Sequence, residues 1–93
     1  MINYDIIDEM LLDLDIEGLI ELGAPADEYS SEAEDIATAI NSLDEEDLNQ
    51  ENISTIAREI WVKSFDLDEN EIEKRIPELQ KLAALILGHL TNK

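Results

Sequence analysis

Apolar residues recur at helical spacings of three and four along most of this chain from Ile6 to Leu90, and β-branched runs with a period of two are absent. Spacings of three and four place side chains on one helix face, whereas a strand needs a period of two. The pattern predicts an all-α fold: a compact bundle of four to five helices in a single domain covering 1–93. With 93 residues there is room for one modest core. The hydrophobic share of 44% is that of a globular chain.

Start and stop signals divide the pattern. Residues 3–14 set Ile6, Ile7, Met10, Leu11 and Leu14 on one face, with Asn3 as the capping residue. A short second helix is predicted from Asp15 as N-cap, with Glu17 and Gly18 in its first turn. Leu19, Ile20 and Leu22 are its apolar anchors, and Gly23 takes the left-handed position that ends a helix. The third helix starts at Ser30 or Ser31, where Ser31 and Glu34 match a capping box. Its face is Tyr29, Ala33, Ile36, Ala37, Ile40 and Leu43. Residues 44–49, "DEEDLN", form an acidic connection. Asn49 caps the next helix, Leu48 and Ile53 make a hydrophobic staple, and Ile53, Ile56, Ala57, Ile60, Trp61 and Phe65 form its stripe. Asp68 with Glu71, and Leu67 with Ile72, repeat box and staple. Pro77 either opens a fresh helix or kinks a continuous one. The stretch "LAALIL", 82–87, is apolar on every side, which suits the centre of a core or a face covered by a second subunit.

Charge narrows the function classes. Six Lys and Arg stand against 24 Asp and Glu, a net charge of −18. Residues 1–57 hold 17 acids and no base, and the first basic residue is Arg58. Direct binding to nucleic-acid phosphate or to an anionic membrane surface lacks a basic footprint. A basic protein surface is the partner such a field attracts. The plainer reading is a solvated surface that keeps a small bacterial protein soluble. No apolar run reaches the ~18 residues of a membrane span. "MINYDIIDEM" has no basic region typical of a signal peptide, so a cytoplasmic location is expected. The absence of cysteine excludes disulfides and thiolate chemistry.

Candidate chemistry is sparse. Asp66, Asp68 and Asn70 have the first three ligand spacings of a calcium loop, but Glu71 stands where the glycine belongs and Pro77 where the final glutamate belongs. The capping box explains that stretch better. His89 is the only histidine and has no cysteine to join it in a metal site. "NSLDEEDL", 41–48, resembles the Asp-Ser-Leu serine of acyl carrier proteins, which are also small, acidic and helical. In that family the serine opens an amphipathic helix, and the residues after Ser42 here are too polar for one. No nucleophile–base pair is suggested by spacing. No catalytic residue, cofactor or metal ligand is therefore assigned.

"LDIEGLIELGAPADEYSSEAEDI", from Leu14, resembles a small bacterial family of unknown function. Its signature runs Trp-Asp-Pro-Ile-Gly, a short spacer, then Gly-Ala-Pro-x-Asp-Glu-Tyr-Asp-x-Glu. Asp15 and Gly18 match the first block. Gly23, Ala24, Pro25, Asp27, Glu28, Tyr29 and Glu32 match the second. Leu14, Ile16, Glu17 and Ser30 depart from it. The resemblance implies a small helical architecture and no particular activity. The residues themselves suggest a clasp between helices. Gly23 and Pro25 shape the turn, and Asp27 and Glu28 lie near the positive start of the next helix. Tyr29 buries its ring and bonds its hydroxyl, and Asp15 bonds the turn. An epitope built on the clasp is the competing reading.

The function expected from all this is a non-enzymatic interaction protein engaging a basic partner, with Glu45 and Glu46 in its acidic connection as contact residues. Immunity or inhibitor proteins and nucleic-acid mimics follow this physical logic. The alternative is a homodimer or accessory subunit using the apolar C-terminal helix, and an acyl-carrier-like role for Ser42 ranks below both.

Overall fold

A computed structural model gives the fold and describes residues 2–18, 21–23 and 29–91. Its helices form where an apolar stripe meets a start signal. α1, Tyr4–Leu14, buries Ile7 and Leu11. α2, Ser30–Asn41, buries Ala33, Ile36, Ala37 and Ile40. A single 3-10 turn, Glu45–Asp47, leads to α3, Gln50–Phe65, which buries Ile53, Ala57 and Trp61. α4, Glu69–Thr91, buries Ile72, Leu79, Leu82, Ala83 and Ile86. The all-α bundle expected from the periodicity is what forms, with four α-helices and no strand among the described residues.

The helices close into a ring. α1 packs on α2 and α4, and α3 packs on the same two. The buried stripes meet inside it as one core, with Trp61 and Tyr29 its largest fully buried side chains. Each fully buried Leu or Ile contributes about 1.5–3 kcal/mol, so these stripes and not helix propensity hold the bundle. Asn41 adds a polar tie. Its side chain accepts from the Ile2 N–H and donates to the Ile2 carbonyl, both at 2.9 Å. That fixes the strand of chain before α1 against the end of α2.

Two caps form as expected. Asn49 accepts from the Asn52 N–H at 2.8 Å. Asp68 accepts from the Glu71 N–H at 2.8 Å, while Glu71 accepts from the Asp68 N–H at 3.3 Å, completing a capping box. Other expectations need correction. Asn3 precedes α1 but makes no side-chain cap bond. α2 starts after Tyr29, with no side-chain cap bond there, so the Ser31–Glu34 box does not form. The buried Tyr29 ring fixes where α2 begins, ahead of the serine.

No second helix occupies the described part of 15–23. Ile16 to Gly18 and Glu21 to Gly23 are turns, and Asp15 ends α1 instead of starting a new helix. Leu19, Ile20 and residues 24–28 lie outside the described residues. Of the two alternatives for Pro77, a fresh helix does not start there: Pro77 lies inside the continuous α4. A proline there costs about 3 kcal/mol. Burial of Ile72 before it and Leu79, Leu82 and Ile86 after it exceeds that cost, so the helix runs through. "LAALIL" is two-sided in fact: Leu82, Ala83 and Ile86 are buried, whereas Ala84 and Leu85 face outward.

Candidate functional site

The connection between α1 and α2 is tied down by its own Asp15, Glu17 and Tyr29 and by side chains from α3 and α4. Asp15 takes a left-handed conformation, φ 43°, and its N–H bonds the Leu11 carbonyl at 2.8 Å to end α1. Aspartate tolerates this region because its short polar side chain bonds locally. Its two oxygens do so here. Oδ2 accepts from the Glu21 N–H at 3.0 Å, and Oδ1 accepts from the Tyr29 hydroxyl at 2.8 Å. That hydroxyl accepts in turn from the Glu17 N–H at 3.2 Å. Gly18 and Gly23 have φ of 69° and 99°, with nothing near a notional Cβ, so the backbone and not the space calls for glycine.

Glu17 is the centre of the clasp. Its Oε2 accepts from the Trp61 indole N–H at 2.7 Å and from Arg75 Nε, and its Oε1 accepts from Arg75 Nη2 at 2.8 Å. Arg75 is further held by the Glu71 carbonyl, which accepts from Nη1 at 2.6 Å. A guanidinium fork on a carboxylate is among the strongest polar contacts available to a chain. The pair is largely buried, with side-chain exposures of 10% for Glu17 and 23% for Arg75. Burial pushes the Glu17 carboxyl up. The hydrogen bonds from Arg75 and Trp61, together with the Arg75 charge, outweigh it and hold the group below its ordinary value. The bond to Glu17 raises the Arg75 value in return.

An aromatic row backs the clasp. The Tyr29 and Trp61 rings stack at 5.7 Å, and Trp61 meets Phe65 at 4.9 Å in a tilted contact. Tyr29 immediately precedes α2, and Trp61 and Phe65 come from α3. The arrangement is a fastening. The Glu17 carboxylate already accepts from three donors, and the Tyr29 hydroxyl both donates and accepts.

The structure brings Asp15, Gly18 and Tyr29 into this clasp, with Gly23 in the turn beyond it. Pro25, Asp27 and Glu28 lie outside the described residues. Glu45 and Glu46 sit apart, exposed in the 3-10 turn. The Ser42 hydroxyl donates to the Thr38 carbonyl at 2.9 Å at the end of α2. Asp66 ends α3 and Asp68 starts α4, and no group of three metal-binding side chains occurs among the described residues. His89 is exposed near the end of α4. A groove of about 460 Å³ runs between α3 and α4 over Ile76 and Leu79, rimmed by Ser54, Thr55, Arg58 and Gln80. None of the clasp residues lines it.

Sequence reasoning missed the pairing of Glu17, Trp61 and Arg75. Two signals pointed to it. Arg75 falls three residues after Ile72 and four before Leu79, on the apolar face of α4, where a cation needs a partner. Trp61 is the only tryptophan, and a buried indole N–H needs an acceptor. No described helix is long and apolar enough to cross a membrane. Comparison with protein-family models, with curated proteins and with solved structures finds no match to this chain.

Proposed function

We propose that this is a small acidic, non-enzymatic interaction protein of the cytoplasm that engages a basic surface on another protein through residues 1–57. The supporting observation is the placement of its carboxylates. Asp5, Glu9 and Asp13 recur every four residues along the exposed side of α1, and Glu34 and Asp35 are exposed on α2. Asp44 to Asp47 continue the exposed acid into α3 at Glu51. No base interrupts them before Arg58. A field of one sign over a whole half of a molecule speeds encounter with an oppositely charged surface and rejects others. An immunity or inhibitor protein, or a mimic of nucleic acid, fits this description.

The test is kinetic. A partner recovered by pull-down is measured by stopped flow between 0.1 and 1 M salt, a range over which the Debye length falls from ~10 Å to ~3 Å. The association rate is expected to fall steeply and dissociation to change less. Glu45→Lys with Glu46→Lys should slow association and leave the fold intact, both positions being exposed. An association rate flat across that range refutes the reading. One observation favours a second reading. Residues 79–91 carry no acid, and Ala84, Leu85 and Gly88 are exposed along one side of α4, with Leu85 47% exposed. Self-association, or docking as an accessory subunit, would use that face.

A further inference from the structure

We propose that the turn from Asp15 to Gly18 is a latch, held shut over the indole edge of Trp61 by the Glu17 carboxylate, and that it opens as a unit while the four helices stay packed. The reason is that turn and bundle are held by different forces. The helices are joined through fully buried apolar side chains such as Ile36, Ile53, Leu82 and Ile86. The turn contributes one apolar side chain, the half-buried Ile16, and is otherwise held by hydrogen bonds and one ion pair. Segments with few buried apolar contacts open at lower free energy than the core they cover.

One group controls the closure. Glu17 makes the polar links from the turn to α3, through Trp61, and to α4, through Arg75. Among the described residues, Glu17–Arg75 is the one ion pair that joins the acid-rich half to the rest of the chain. Opening returns Glu17 to a segment already crowded by Asp13, Asp15 and Glu21, and it releases the Arg75 fork. The left-handed residues Asp15 and Gly18 bracket the moving piece. The open form displays what the closed form hides: the indole N–H, the edge of the aromatic row and a cation, on a protein whose closed surface is mainly acid. The latch therefore switches between two surfaces of opposite chemistry.

Native-state hydrogen exchange on the wild-type protein tests this, read by NMR at the Trp61 indole N–H and at the backbone amides of Ala57, Leu82 and Ile86. After correction for intrinsic rates, the indole should be protected at least ~10-fold less than those amides, because it is released by local opening. Equal protection would mean that it is freed only when the whole bundle unfolds, and would overturn the proposal. Glu17→Gln supplies the second arm. Acrylamide quenching of the single tryptophan should rise about 2-fold or more with helical ellipticity at 222 nm unchanged. Unchanged quenching, or a rise matched by loss of ellipticity, overturns it.

Discussion

Replacing Trp61 by alanine is the most informative perturbation of this fold. The ring is fully buried, lies between Tyr29 and Phe65, and donates its N–H to Glu17. A large aromatic side chain buries about 150–250 Å², which at ~25 cal/mol per Å² is roughly 4–6 kcal/mol as an upper bound. Measured Trp-to-Ala or Phe-to-Ala losses in cores run about 3–5 kcal/mol. Glu17 keeps its bonds to Arg75 in the variant, so no carboxylate is stranded and the lower range applies. For a chain of this length the total stability is about 5–14 kcal/mol. Trp61→Ala should therefore fold but sit near the edge, with its urea midpoint lowered by more than ~1 M. Circular dichroism at 222 nm is the assay, since the variant has no tryptophan to report. Trp61→Phe keeps an aromatic ring in the row and loses the N–H, so it should fall between wild type and alanine. A loss below ~1 kcal/mol for Trp61→Ala would refute the packing described here.

The caps give a contrast. Asn49→Ala and Asp68→Ala should each cost about 0.5–2 kcal/mol, whereas Ser31→Ala, which removes no cap bond, should stay within ~0.5 kcal/mol in the same urea titrations. The Glu17 carboxyl is held below its ordinary value of 4.5, so its stabilisation is complete above that pH and is lost as pH falls through the lower folded-state value. The stability gap between wild type and Glu17→Gln should accordingly be constant near neutrality and shrink below pH 4.5, and a gap that widened on acidification would reverse the assignment. Salt should raise the melting temperature, because screening relieves the self-repulsion of a chain at −18. A melting temperature that fell with salt would mean that pairs such as Glu17–Arg75 outweigh the repulsion.

Much of the fold is legible in the sequence because its causes are local. Ile36, Ala37 and Ile40, or Asp68 and Glu71, stand within a turn of each other, and helical spacing alone puts them on one face or across one cap. The connection after α1 is not local. Asp15, Gly18 and Gly23 match the start, first turn and end of a short helix, and nothing within those nine residues says otherwise. What decides is Trp61 and Arg75, 44 and 58 residues further on from Glu17. Their need for an acceptor draws the Glu17 carboxylate inward and bends the backbone into turns. The Ser31 box fails for a related reason: the buried ring of Tyr29 outweighs a cap worth about 1 kcal/mol. Tyr29 and Asp15 could be assigned to one clasp from residue types, but the partner that anchors it could be found only by asking why a base sits on the apolar face of α4.

The most direct measurement of the functional account is a hydrogen-exchange footprint of the protein with and without the partner recovered by pull-down. Engagement through the acidic half predicts slowed exchange in α1, α2 and the Glu45–Asp47 turn, with residues 80–91 of α4 unchanged. Slowing confined to the Leu85 side of α4, with α1 and α2 unaffected, would contradict it.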